Sequence, residues 1–367
     1  MKGLRLSIPP FAPDQSGAVS VLFNLGGIVV ICDAGGCTGN ICAFDEPRWF
    51  NEKSAIFSAG LRDMDAILGR DDKLVSKLKD TANKLDCSFA AIVGTPVPSV
   101  IATDYKALCK MCEKATNIPV ISMDTTGTNL YDEGASKAYM ALFKKFLQKD
   151  VKREKGKVGV IGITPLDYYE ENTIELLKKQ LKEDGYKDVI CYGYEKGIED
   201  YKNALSVEKN VVVSPAGLNT AIYLEKNFGI SYEINCPIAE NLMKINLEKN
   251  NENLEGKNKL IVHQQVLANS IRKLIKKYNP KSVAVATWFI MEEKIKSEED
   301  IHLTEEDQWC HVAMKYDVII GDDALRKAIP NFKGIWISMP HYAVSGQLGR
   351  KVTKCNFKYE SMELCKG

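Results

Sequence analysis

Several features are scarce or missing in this 367-residue chain. Histidine occurs only 4 times, at His263, His302, His311 and His341, never clustered, so no histidine-rich metal motif is written in it. No uncharged apolar stretch reaches the roughly 18 residues of a membrane span. The opening "MKGLRLSIPPFAPDQ" has no apolar core of signal-peptide length, so a cytoplasmic location is expected. Neither charge sign is in excess: 49 basic and 48 acidic residues leave +1. That balance excludes nucleic-acid or membrane-surface binding driven by bulk electrostatics. No Walker loop is present, and "GVIG" (159–162) falls short of a dinucleotide fingerprint, so any ATP-driven step belongs to another protein. The 11 cysteines are odd in number, which excludes a closed disulfide framework.

What is present is a strand-then-helix pattern. Apolar runs of strand length are "GGIVVIC" (26–32), "FAAIVG" (89–94), "IPVISM" (118–123), "VGVIGI" (158–163), "DVICYG" (188–193), "NVVVS" (210–214), "SVAVAT" (282–287), "DVIIG" (317–321) and "GIWISM" (334–339). They are rich in Val and Ile and do not alternate with polar residues, as strands buried on both faces read. Amphipathic stretches at 72–85, 135–151, 172–184 and 264–278 carry apolar residues at three- and four-residue steps. The alternation predicts α/β crossover units with parallel sheets. Charged seams at 148–157 and 245–259 divide the chain into domains 1–152, 153–250 and 251–367. The expected fold is three doubly wound, Rossmann-like α/β domains around a central cleft, with the C-terminal tail packing back on the first. The charged stretch 291–308 reads as a solvated helix–turn–helix connection.

The most unusual stretch is "VVICDAGGCTGNICAFDEPRWF" (29–50), with Cys32, Cys37 and Cys42 at five-residue steps and Gly35, Gly36 and Gly39 among them. On a helix, residues five apart point about 140° away from each other, so these thiols share no helical face. The glycines place at least the first two on a loop beyond a strand end, where parallel sheets hold ligands. Backbone amides on such a loop can point at an anion or sulfide. Thiolates are soft ligands for iron–sulfur clusters or zinc. Zinc sites usually show closer pairs, and a [4Fe–4S] cubane takes four cysteines. A cubane would therefore need a ligand from elsewhere, or two subunits sharing it. The alternatives are a redox pair with a spare thiol, or small core residues, with Cys32 closing a strand and Cys42 starting a helix.

The segment "APDQSGAVSVLFNLGGIVVICDAGGCTGN" (12–40) resembles the opening of the nitrogenase component 1 family. Gly17-Ala18 and Gly36-Cys37 match its pattern, and Cys32 stands where the family often has histidine. The resemblance continues through "GTPVPSVIATDY" (94–105), "DTTGTNLYDEGASKA" (124–138), "KVGVIGITPLD" (157–167), "NVVVSPAGLNTAIYLEKNFGISY" (210–232) and residues 316–349. It implies an iron–sulfur cluster at a subunit interface, with Cys37 as a ligand. It implies a homodimer, or a heteromer with a paralogue, that takes electrons from an ATP-dependent iron protein and reduces a small-molecule substrate under anaerobic conditions.

Departures from the family narrow this. "PFAPDQ" has no cysteine where the nitrogenase subunits carry a first ligand, and Thr95 replaces the next one after Cys37. Cys32 and Cys42 are then the expected substitutes, in a [4Fe–4S] cluster or a variant. Ser214 stands where the nitrogenase catalytic subunit has its cofactor-holding cysteine. His341 lies one residue out of register with that subunit's histidine ligand, so a true dinitrogenase is not expected. Thr95, Ser214 and His341 are expected pocket residues. "DEPRW" (45–49) reads either as cluster-tuning or substrate-binding charges, or as a capped surface helix start. "LCKMC" (108–112) reads as two structural cysteines on a helix, and Cys87, Cys191, Cys236, Cys310, Cys355 and Cys365 have no partner at ligand spacing. A metallocluster scaffold without turnover, and a binding protein that kept the fold and lost redox chemistry, are the rival readings.

Overall fold

A computed structural model describes residues 5–52, 54–168, 172–249 and 255–346. The C-terminal tail, with Cys355 and Cys365, and the middle of the 245–259 seam lie outside the described residues. The described chain forms three all-parallel sheets. The first contains β1 (Ile28–Ile31), β2 (Ala55–Ser58), β3 (Ala90–Val93) and β4 (Val120–Met123), in the order β2-β1-β3-β4. The second contains β5 (Lys157–Ile161), β6 (Asp188–Cys191), β7 (Lys209–Val212) and β8 (Ser231–Ile234), in the order β6-β5-β7-β8. The third contains β9 (Asn258–Val262), β10 (Ser282–Thr287), β11 (Ile301–His302), β12 (Val318–Gly321) and β13 (Ile335–Ser338), in the order β11-β10-β9-β12-β13. Each order reverses direction once, giving the doubly wound, Rossmann-like architecture with a topological switch point in every sheet.

The chain divides into two compact units. One comprises Pro13–Thr164 and Ile174–Ile234 and holds the first two sheets; the other comprises Met1–Ala12, Pro165–Thr173 and Asn235–Gly367 and holds the third. In the two-sheet unit, β1 is buried throughout, and its pleat sends successive residues to opposite faces. Val29 and Ile31 face a core shared with Ile161 and Val212 of the second sheet and with Tyr192 just beyond β6. Ile28, Val30 and Cys32 face an outer core with Leu74, Leu78, Leu108 and Cys112. The helices Asp14–Leu22 and Tyr131–Phe146 line the inner core, and Asp71–Ala82 and Tyr105–Thr116 the outer one. The Tyr105–Thr116 helix starts where the Asp104 side chain accepts from Lys106 N and Ala107 N, both at 3.0 Å, and stops at left-handed Asn117.

Strands β2 and β8 lie at sheet edges and are only partly buried, so neither reads as an apolar run. The stretch 291–308 is not a solvated helix–turn–helix. It is a 3₁₀ turn (Glu293–Ile295), the strand β11 and the start of the helix Glu306–Ala313, held to the third sheet through buried Asp300. Buried acceptors explain the difference. Asp300 accepts from Val285 N at 3.0 Å and Ser297 N at 2.8 Å, while Glu306 accepts from the amides of Leu6, Ser7 and Ile8.

Candidate functional site

The first sheet reverses between β1 and β3, so the loops leaving those strands flank its switch point. Asp33, 2 % exposed, fixes the first loop by accepting from Thr38 N at 2.8 Å, Thr38 Oγ1 at 2.9 Å and Ser58 Oγ at 2.6 Å. Gly35, at φ 120°, turns the chain into a short helix, Gly36–Asn40, which carries Cys37. A π-helix, Ile41–Asp45, follows and carries Cys42. Thr95, at the end of β3, is fully buried; it donates to Cys32 O at 2.6 Å and lies within hydrogen-bond reach of the Cys37 thiol.

The three cysteines of the loop do not converge. The pleat of β1 turns Cys32 into the outer aliphatic core, where burial pushes its thiol up to about 12. Cys37 and Cys42 are half-buried and pack against the inner core on the other side of the sheet. Among the described residues no group of three or more His, Cys, Asp or Glu side chains is placed to hold a metal ion. The thiol of Cys37 is raised by burial and then by Asp33; that of Cys42 is raised to about 11 by burial, then by Glu46 and Asp33. Without a cation both are neutral thiols, and a metal charge would reverse that balance. A Cβ added to Gly35, Gly36 or Gly39 would meet nothing within 4 Å, so this side of the loop is open.

Residues 45–49 do not start a helix: Asp45 ends the π-helix and a turn follows. Arg48 makes a two-pronged pair with buried Glu46, at 2.7 and 2.9 Å, donates to Ser20 O at 2.6 Å and lies over the Phe23 ring. Asp45 accepts from Ser16 Oγ at 2.6 Å and Asn40 Nδ2 at 2.7 Å, and burial raises it to about 6. Together these groups clamp the end of the cysteine loop to the Asp14–Leu22 helix. Large apolar side chains stand exposed on the segments that leave β1, β2 and β3. They are Phe44 and Phe50, then Met64, Ile67 and Leu68, then Val97, Val100 and Ile101, with Val100 84 % exposed.

The other expected pocket residues sit at their own sheets' ends. Ser214 follows β7, is buried, and donates to Gly162 O at 2.7 Å, so its hydroxyl serves the backbone. His341 follows β13 in the other unit and is buried. Its ring stacks on His263 at 3.9 Å, its Nε2 lies 3.7 Å from Asp167, and its amide donates to Asp322 at 2.8 Å. Cys109 and Cys112 lie on a helix against the outer core, and Cys112 is fully buried. Reading the residues alone missed His263, the partner of His341, because the two are far apart in sequence and adjacent only through the β9–β12–β13 arrangement.

The histidine pair makes stability pH-dependent. Burial lowers His341 to about 3; burial and then His341 lower His263 well below the usual imidazole range. The unfolded chain binds protons on both rings below about pH 6.5, while the folded chain stays neutral there. Stability is therefore full above that value and falls with acid by about 1.4 kcal/mol per pH unit for each ring. Denaturant midpoints at about pH 7.5 and 5.5 will show this loss, and His341→Phe will remove close to half of the histidine-dependent part. An unchanged pH slope in that variant refutes the assignment.

Comparison with known proteins adds to this geometry. Residues 14–239 match the family described as "Nitrogenase component 1 type Oxidoreductase". The chain is 25% identical over 178 residues to the nitrogenase iron-molybdenum cofactor biosynthesis protein NifE of Clostridium pasteurianum, covering 48% of this chain and 38% of that protein. It is 25% identical over 185 residues to a subunit of the light-independent protochlorophyllide reductase of Zygnema circumcarinatum, covering 47% of this chain and 35% of that one. The matched region thus spans little more than a third of either relative's length. The solved structure "Nitrogenase Cp1 at pH 5" superimposes with a TM-score of 0.69 at 14% identity, covering 93% of this chain and 85% of that one. At that identity the likeness speaks to the fold.

Proposed function

The chain belongs to the nitrogenase component 1 type oxidoreductases, and from that premise we propose that it is a redox subunit holding an iron–sulfur cluster at Cys37, shared with a second subunit. The observation that carries this reading is the half-exposed Cys37 at the first sheet's switch point, on a loop whose glycines leave it open and whose flanks are apolar. A cubane takes four thiolates. One chain does not fit a whole cubane: Cys32 faces the outer core, which leaves Cys37 and Cys42 on the inner side. Two such subunits, identical or paralogous, would bring four thiols between them. When bound, the cluster supplies one-electron transfer.

The chain's own residues have separate tasks in this scheme. Asp33 and Thr95 hold the cysteine loop through its backbone and side chains. The Glu46–Arg48 pair fixes the loop's exit. The apolar rim of Phe44, Val97 and Val100 excludes water where the second subunit docks. Electrons would come from a separate ATP-dependent iron protein and go to a small-molecule substrate. The likeness to a component of light-independent protochlorophyllide reductase supports the reductase reading. The likeness to a cofactor biosynthesis protein supports a second reading, a scaffold that carries a cluster without turnover.

Anaerobically purified protein tests this. Wild type is expected to be coloured and to contain iron and acid-labile sulfide. Cys37→Ala is expected to lose most of the iron, whereas Cys32→Ala keeps it and loses stability through its core position. Colourless, iron-free wild type, or iron lost in Cys32→Ala and kept in Cys37→Ala, refutes the reading. Given iron, rapid reduction by an iron protein with ATP identifies the reductase, and transfer to an apo-acceptor identifies the scaffold.

A further inference from the structure

A cavity of about 400 Å³ lies between the outer face of the first sheet and the helix Asp71–Ala82. Its floor is apolar: Ile28 and Val30 of β1, with Leu74 and Leu78 of the helix, all buried members of the outer core. Phe57 of the edge strand β2 also lines it and is 39 % exposed. The sequence of β2 explains the space. Ala55 and Phe57 pair with Ile28 and Val30, so they share the outer face, and Ala59 follows with the same parity. Two alanines thus flank one aromatic ring, and their short side chains leave room beside the helix. The polar groups of the rim differ in what they have left to give. Ser58 Oγ donates to Asp33 at 2.6 Å and accepts from Gly60 N at 3.0 Å, and Thr81 Oγ1 donates to Lys77 O at 2.9 Å. Lys77 Nζ donates to Ala59 O at 2.7 Å, which anchors the ammonium at the rim with further N–H groups to give. Asp80 lines the same rim three residues along the helix. Among the described residues the two charges do not pair with each other, and the Asp80 carboxylate receives no hydrogen bond.

Small-molecule sites are concave, about 300–1,000 Å³ in volume, and mostly apolar with a few placed polar groups. We infer that this cavity binds a small zwitterion, an α-amino acid with a large apolar side chain. The side chain enters against the aliphatic floor and beside the Phe57 ring, the carboxylate meets Lys77, and the ammonium meets Asp80. Side chains three apart on a helix are neighbours, with about 5–6 Å between their Cβ atoms, so one α-carbon carrying both charged groups reaches both. A simple anion would face Asp80, and a simple cation would face Lys77. Opposite charges at one rim therefore discriminate for a molecule that carries both. The cavity lies on the outer side of the sheet, whereas Cys37 and Cys42 pack on the inner side, so the inference is independent of any group held by those thiols.

Calorimetric titration of the full chain with L-leucine and L-phenylalanine tests this, and saturable binding of both is expected. Glycine keeps both charges without the apolar side chain, N-acetyl-L-leucine lacks the ammonium, and L-leucinamide lacks the carboxylate. Each is expected to bind about 10-fold more weakly than L-leucine, the scale of one charged hydrogen bond or one buried aliphatic side chain. Asp80→Asn should weaken L-leucine about 10-fold and leave N-acetyl-L-leucine unchanged. Lys77→Met should weaken L-leucine to the same extent and leave L-leucinamide unchanged. Asp80 is exposed, so Asp80→Asn is expected to melt within a few degrees of wild type and carries the test should Lys77→Met, which also loses the bond to Ala59 O, destabilise the chain. Wild type that binds neither amino acid overturns the inference. So does N-acetyl-L-leucine bound as tightly as L-leucine, and so does Asp80→Asn with the wild-type preference between them.

Discussion

Gly134→Ala is expected to abolish folding of the unit that contains the cysteine loop. Gly134 lies in the helix Tyr131–Phe146, where it crosses the helix Asp14–Leu22. An added Cβ would lie 1.7 Å from Asp14 O, and the reciprocal Cβ on Gly17 would lie 1.7 Å from Tyr131 O. Alanine is the better helix former by about 1 kcal/mol, so propensity alone predicts stabilisation. The clash is with backbone carbonyls that cannot rotate away, so the helices would have to separate. Separation also pulls Asp14 from Thr126 N and Gly127 N, breaking the contact that holds the β4 loop. The cost exceeds the usual 1–3 kcal/mol of overpacking and is placed above about 4 kcal/mol. Circular dichroism melts and limited proteolysis will show it. Gly39→Ala is the control, since its Cβ meets nothing within 4 Å and its backbone is helical. Cooperative melting of Gly134→Ala within a few degrees of wild type refutes the account.

Asp300→Ala is expected to cost the other unit about 3–5 kcal/mol, the scale of breaking a buried ion pair. The Asp300 side chain is fully buried and that of Arg272 nearly so. Arg272 donates to Asp300 Oδ1 at 2.5 Å and Oδ2 at 3.2 Å, and the same oxygens take Val285 N and Ser297 N. Alanine leaves the guanidinium with Asn269 as its remaining side-chain hydrogen-bond acceptor among the described residues. It also leaves the buried Val285 amide, and the Ser297 amide, without their acceptor. The double variant Arg272→Leu/Asp300→Leu should recover part of the loss, because no uncompensated charge remains inside. Urea midpoints of wild type, both single variants and the double variant measure this. Additive losses across the cycle would show that the pair does not act as a unit.

The residues differ in how openly they declared themselves. Of the inner strands, β1, β3, β5, β7, β10 and β12 read as Val- and Ile-rich runs because both faces are buried, while the central β9, which opens on Asn258 and Lys259, did not. Edge strands β2 and β8 gave no such run, since their partly exposed sides tolerate polar residues. The loop that carries Cys37 was visible from its glycines. The direction of Cys32 was not, because one residue of register decides which face a strand side chain takes. Charge was read as exposure at 291–308, yet Asp300 and Glu306 are buried acceptors for backbone amides supplied by distant segments.

By itself the sequence determined the parallel, doubly wound layering and the place of the cysteine loop. Non-alternating apolar runs between amphipathic helices can be buried only in that way, and glycines follow β1 directly. Tertiary structure alone decided that Cys32 leaves the set and that His263 meets His341. Those outcomes depend on pleat parity and strand order, which bring together residues far apart along the chain.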